Sequence, residues 1–256
     1  MLPESIWKLV SLRHLIMDHS FFSLQHYSQE FFENTSQLSN LKSISTLSVR
    51  HGNVEKFLRR LPNIQKLGCI FLNSWHDYYE ACNLFRLLEF LSELQSLEMS
   101  FNTRAPNPFK FSFPSNLKKL TMSNARLPWY QISVIGQLPN LEVLKLLNRA
   151  FDGHQWNMRE GEFQKLKFLK LDSLDIVHWN ASSEHLSCLE QLLVVSCHQL
   201  EEIPTSFGEI LTLQLIEIKW CSASASDSVK RILEDLRDLS NYQVKIIVVG
   251  SQRDLA

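Results

Sequence analysis

Apolar residues recur in this chain in a fixed figure, Leu-x-x-Leu-x-Leu, whose first, fourth and sixth positions are aliphatic or sulfur-bearing and whose other positions are mostly polar. Figures begin at Leu12, Ile44, Ile64, Leu94, Leu117, Leu141, Leu166, Leu189 and Leu213, and from Leu94 onward they return every 23 to 25 residues. The step of two inside each figure is strand periodicity, in which alternate side chains share a face. Beyond the figure the apolar steps lengthen to three and four, which suits a tight turn followed by helical or 3₁₀ turns. In the repeat that starts at Leu189, Leu192 and Val194 are the strand slots, and Cys197, Leu200, Ile203, Phe207 and Ile210 continue along the return arc.

One such repeat cannot stand alone. Burying its apolar side chains contributes roughly 1.5–3 kcal/mol apiece, whereas ordering about 24 residues costs roughly 1–2 kcal/mol each in backbone entropy. Stacked neighbours supply the missing cover. Period and slots together are the leucine-rich-repeat signature. They predict an α/β solenoid with a curved parallel sheet on the concave face and helices or 3₁₀ turns on the convex face. Residues 1–222 read as an array of about nine repeats.

The pattern changes after Ile218. Val229, Ile232, Leu233, Leu236 and Leu239 form a helical stripe over 226–239, with Ser226 or Asp227 as N-cap. A strand over 242–249 follows, and residues 223–256 read as a helix-strand C-terminal cap. Two steps are long. In the second of them Leu84, Leu87, Leu88 and Leu91 have the spacing of an amphipathic helix. In the first, the paired Phe residues of 21–37 fit either core filling or a docking patch. The array opens on Ile6, Leu9 and Leu12 with no polar cap, so a further N-terminal neighbour is expected to cover it.

Composition narrows the function classes. The 256 residues are 45% hydrophobic and 21% charged, with a formal net charge of -1. Near-neutral balance without basic runs argues against nucleic-acid binding. No apolar run reaches the roughly 18 residues of a membrane span, and the start lacks signal-peptide regions. A cytoplasmic address is expected, at most peripheral at membranes, without direct membrane insertion. The five cysteines form no CxxC pair, so no metal is expected. Cys197 and Cys221 occupy the repeat slot that takes Asn or Cys, where a small buried donor satisfies turn carbonyls. No phosphate loop, GxGxxG, GxSxG or HExxH occurs, and no enzyme activity is expected.

Recognition falls to the positions between the leucines, which point out of the concave face. A lysine recurs there at Lys119, Lys145, Lys170 and Lys219, and apolar groups gather at Val143, Leu147, Phe168, Leu193, Val195 and Leu215. Apolar area rimmed by charge is what a protein-binding face shows, and the lysines favour an acidic partner. Trp129, Trp156 and Trp179 lie 12, 15 and 13 residues after their repeat starts, with Ile203 in the matching place of the next repeat. They are expected to form a stacked core column and not a ligand cage.

The opening LPESIWKLVSLRHL, the later LPNLEVLKL and LKFLKL, and the tail from CLEQLLVVSCHQL through IEIKWCS to the acidic helix resemble the C-terminal repeats of plant intracellular immune receptors of the coiled-coil, nucleotide-binding, leucine-rich-repeat class, nearest to the late blight resistance protein homologues of nightshades. The likeness covers essentially the whole chain, and the tail is its most specific part. It implies a disease-resistance segment that senses a pathogen effector or a guarded host protein and restrains the receptor's nucleotide-binding and coiled-coil domains. ATP or ADP is implied only for a nucleotide-binding module outside this sequence, which has neither a phosphate loop nor an MHD motif. An alternative is the substrate-binding repeat of an F-box-type ubiquitin ligase adaptor. A secreted receptor ectodomain fits less well, since paired cysteine caps and the LxGxIP turn are missing.

Overall fold

The structure, a computed structural model, describes residues 4–16, 36–49, 57–72, 88–105, 112–238 and 244–250. The expected docking or core segment 21–37 lies almost wholly outside them, as do Leu84 and Leu87 of the expected helix, Leu239, and the first two residues of the strand 242–249. The chain falls into two compact units, 1–120 and 121–256.

The first unit carries β1 (His14–Leu15), β2 (Ser43–Val49), β3 (Lys66–Phe71) and β4 (Ser96–Phe101), each parallel to the next. The boundary with the second unit falls inside β5 (Lys119–Ser123). Register corrects one repeat start. Leu67 and Leu97 are Cα partners, but Leu67 also partners Ile44, which therefore occupies the fourth slot and not the first. The true start is Leu41, buried like the starts from Ile64 onward. This replaces the irregular step of 20 by one of 23, from Leu41 to Ile64. The figure was disguised because β2 carries a bulge between Ile44 and Leu47, which inserts extra chain before the sixth slot. Gly68 lies beneath this bulge, and a Cβ there would run into the Ser45 carbonyl. Gly68 is accordingly buried, although strand alternation by itself turns that position to the outward face.

An asparagine just before three of the starts, Leu41, Ile64 and Leu117, ties successive turns together. Asn40 donates to Val10 O at 2.9 Å, Asn63 to Ser39 O at 2.8 Å and Asn116 to Ser92 O at 2.7 Å. Each bond reaches the carbonyl two residues ahead of the preceding start, so the asparagine satisfies turn groups that a strand ladder leaves over. In this unit Phe71 and Phe101 close the strands and stack at 4.6 Å.

The second unit repeats the plan with closer regularity. Its main sheet runs β7 (Val143–Leu147), β10 (Phe168–Asp172), β12 (Gln191–Val195), β13 (Leu215–Lys219) and β14 (Lys245–Val249), all parallel. Between them, along the return arcs, β6 (Leu127–Pro128) pairs with β8 (Phe151–Asp152), and β9 (Gln155–Asn157) with β11 (His178–Asn180). The remaining arc segments are short 3₁₀ turns, Trp129–Ile132, Ser183–Leu186 and Thr205–Glu209, with the four-residue helix α1 (Ser133–Gly136). The arcs of the repeats that start at Leu117, Leu141 and Leu166 are thus partly strand where helix or 3₁₀ was expected. The β-branched and aromatic content there, with Trp156, Val177 and Trp179, favours the extended form.

Strands β5, β7, β10, β12 and β13 end in the same backbone device. Asn124, Asn148, Ser173, Ser196 and Trp220 adopt left-handed φ values of 57, 47, 56, 51 and 51°. Their N–H groups donate to Leu147, Asp172, Val195, Lys219 and Val249 respectively, one strand further on. One position later, Cys197 Sγ lies 3.5 Å from Val195 O, and Cys221 Sγ lies 3.6 Å from Val194 O and 3.4 Å from Lys219 O. These are the turn carbonyls that the small donor slot was expected to serve. Burial pushes the Cys197 thiol up to about 12, so it stays a neutral donor.

The indoles of Trp129, Trp156 and Trp179 stack along the arcs at 4.8 and 5.1 Å, and all are buried. The column continues to Phe207, edge-on at 5.1 Å, and Ile203 is fully buried. The helix α2 (Ala223–Asp238) completes the described fold. Its cap is Ser222 and not Ser226 or Asp227, because Ser222 Oγ accepts the Ala225 N–H at 3.0 Å. Ser226 and Ser228 are instead buried in the helix interface. Ser228 Oγ accepts the Ile203 N–H at 2.9 Å and donates to Ala225 O at 2.7 Å, pinning α2 to the preceding arc.

Candidate recognition surface

Leu144, Leu146, Leu169, Leu171, Leu192, Val194, Ile216 and Ile218 all turn inward and are essentially inaccessible. Strand alternation turns the residues between them to the opposite face. Register arranges that face in three rows across the second unit. The first row is Val143, Phe168, Gln191, Leu215 and Lys245. The second is Lys145, Lys170, Leu193, Glu217 and Ile247, and the third is Leu147, Asp172, Val195, Lys219 and Val249. Neighbours along a row stand about 4.8 Å apart. Nine of the ten sequence-selected residues therefore share one face of one unit. The tenth, Lys119, is exposed on β5 and belongs to the first unit.

The outward side chains of β7, β10, β12 and β13 are half-buried. Phe168 lies beneath the Lys145 ammonium, which sits 5.6 Å from the ring centroid. The lysines do not form a column of free charge. Lys170 Nζ lies 2.9 Å from Asp172 Oδ2, and Lys219 Nζ lies 2.8 Å from Glu217 Oε1. Each acid sits two residues from its lysine on the same strand face, a spacing that was visible in the sequence. The ion pairs leave the apolar groups Phe168, Leu193 and Leu215 bordered by internally neutralised charge, which weakens the case for a strongly acidic partner. Register also extends the face onto β14, whose Lys245, Ile247 and Val249 continue the rows beyond Leu215, Glu217 and Lys219. The isolated strand pattern had shown β14 as a cap, without its register.

A second concavity of the unit, about 460 Å³, is lined by Arg149, His154, Ser173, Asp175, Ser196 and His198 among others. Arg149 is committed there to Asp152 at 3.2 Å and Asp175 at 3.5 Å. Among the described residues no group of three or more His, Cys, Asp or Glu side chains is placed to hold a metal ion. No helix among them is long and apolar enough to cross a membrane.

No protein-family profile matches the chain. Individual relatives do. A late blight resistance protein homolog of Solanum demissum is 34% identical over 256 residues, covering 97% of this chain and 32% of the relative. A late blight resistance protein of the same species is 33% identical over 253 residues, covering 97% of this chain and 19% of the relative. The chain is a homologue of the late blight resistance proteins. It spans about a third of the length of the first of these resistance proteins and about a fifth of the second. Among solved structures, the leucine-rich repeat domain of the type III effector XopL aligns with a TM-score of 0.48 at 14% identity, over 94% of this chain and 77% of that one. A leucine-rich-repeat protein of Leptospira interrogans aligns with a TM-score of 0.32. The strand ladders and leucine slots of each unit carry the leucine-rich-repeat assignment on their own. Sequence and fold together make the chain a leucine-rich-repeat region related to plant disease resistance proteins.

Proposed function

We propose that this chain is a non-enzymatic protein-recognition segment of a cytoplasmic plant immune receptor, which senses a pathogen effector or a guarded host protein and restrains the receptor's own nucleotide-binding domain. The observation that carries this reading is the face of the second unit on which Phe168, Leu193 and Leu215 stand in adjacent rows among self-paired lysines. Aromatic and aliphatic anchors with charge held to the margin are the composition of an interface core. Homology to resistance proteins supports the biological setting. The pairing of Lys170 and Lys219 shifts the weight of recognition from lysine charge to apolar contact. Nucleotide, if the receptor uses it, binds in a module other than these repeats.

The reading is tested with the triple variant Phe168→Ser, Leu193→Ser, Leu215→Ser. Because these side chains lie outside the leucine core, the variant keeps a cooperative melt. Its capture of the receptor's nucleotide-binding domain, or of a cognate effector, falls at least tenfold. A variant that folds and binds like the parent removes this face from the interface.

A further inference from the structure

Among the described residues β14 is the last strand of its sheet and pairs only with β13. Its backbone groups divide into two sets. Lys245 N–H donates to Gln214 O at 2.8 Å, and Val249 O accepts the Trp220 N–H at 2.9 Å. Residues 245, 247 and 249 therefore bond toward β13. Alternation then turns the N–H and C=O groups of Ile246 and Val248 to the open side. An open edge is a template for another strand, and proteins commonly blunt it with Pro, a bulge or charge. In the run KIIVV the one charge is Lys245, at the end of the strand. Val248 and Val249 stay 36% and 40% exposed.

We propose that this edge pairs with the same edge of a second copy of the chain, antiparallel about a two-fold axis at Ile247. Parity restricts the register, since outward-bonding residues must oppose outward-bonding residues. Ile246 then opposes Val248 of the second copy, Ile247 opposes itself, and each outward residue exchanges both backbone bonds with its opposite number. Of the allowed registers this one overlaps the five-residue strand most fully. It sets Lys245 against Val249 of the second copy, so the two lysines stand at opposite ends and only Ile and Val meet between them. The edge is thus complementary to itself, as an isologous contact requires. A single short strand pair buries little area, which places the dimer among weak, exchanging complexes.

Sedimentation velocity of the full chain, from about 10 μM to about 1 mM, reads the proposal directly. The expected result is a concentration-dependent monomer–dimer equilibrium. Val248→Pro removes an N–H that the β13 ladder does not use and that an edge strand tolerates losing; it leaves the thermal melt in place and the chain monomeric. Val249→Lys, at an exposed side chain, brings like charges together and weakens the dimer about fivefold to tenfold. Adding Lys245→Glu to Val249→Lys turns that repulsion into attraction and restores the dimer. A chain that stays monomeric throughout overturns the proposal. So does any assembly, dimer or larger, that survives both Val248→Pro and Val249→Lys.

Discussion

The indole of Trp220 lies where a side chain at position 250 would begin, so that a Cβ built on Gly250 would stand 2.8 Å from Trp220 Cδ1. Gly250 also has a φ of +56°, in line with Asn124, Asn148, Ser173, Ser196 and Trp220 at the ends of the other strands. The glycine therefore meets two demands together, a left-handed turn and room for a half-exposed indole. Gly250→Ala is expected to cost about 1–2 kcal/mol from the backbone and to displace the ring. Urea melts read the first effect, and the tryptophan emission of the folded variant reads the second.

The column Trp129, Trp156, Trp179 should be the most sensitive element of the second unit outside the leucine slots. Trp156 touches both other indoles and the edge of Phe163, at 6.0 Å. Trp156→Ala is expected to destabilise by about 3–5 kcal/mol. A double-mutant cycle with Trp179→Ala should be non-additive, because the two rings share one cavity. Additive losses would mean that the rings pack independently.

Ser228 holds α2 to the array through one hydroxyl. Ser228→Ala leaves the Ile203 N–H buried without its acceptor, and a loss of about 1–3 kcal/mol is expected. Ser224→Ala, at an exposed position of the same helix, should be close to neutral in the same chemical-denaturation experiment.

Alkaline pH should loosen the fold through its buried thiols. Burial raises Cys69 and Cys197 from the ordinary 9.0 to about 12. Above pH 9 the unfolded chain releases protons that the folded chain keeps, so stability is complete below that pH and falls as pH rises toward 12. Each thiol accounts for about 1.4 kcal/mol per pH unit in that window. The difference in melting free energy between parent and Cys197→Ala should therefore narrow or change sign between pH 8 and 10.

Much of this architecture was legible because it rests on local periodicity. The leucine slots from Leu94 onward, the Cys197 and Cys221 turn donors and the three-tryptophan column all follow from counting residues after a repeat start. What escaped depended on partners distant in sequence. Leu41 lost its place to Ile44 because the bulge in β2 becomes visible only against β3. The cap falls at Ser222 and not at Ser226 or Asp227, since a serine-rich run offers several equivalent caps until packing buries Ser226 and leaves Ser222 Oγ to accept the Ala225 N–H. The asparagines before the repeat starts, and the left-handed turn shared by residues as unlike as Asn148 and Trp220, are backbone devices that need the neighbouring strand to be recognised. On the candidate surface, alternation identified the outward residues correctly within β7, β10, β12 and β13. The charge of that face departs from the expectation because Asp172 and Glu217 lie within 3 Å of Lys170 and Lys219.

Covalent footprinting of side chains tests the proposed recognition surface most directly, with a resistance-protein nucleotide-binding domain or a pathogen effector added to this chain. The account predicts that Phe168, Leu193 and Leu215 lose labelling on addition, whereas Tyr130 and Leu211, which are 63% and 81% exposed on the return arcs and turns, keep theirs. Protection of Tyr130 and Leu211, with Phe168, Leu193 and Leu215 labelled as before, would contradict it.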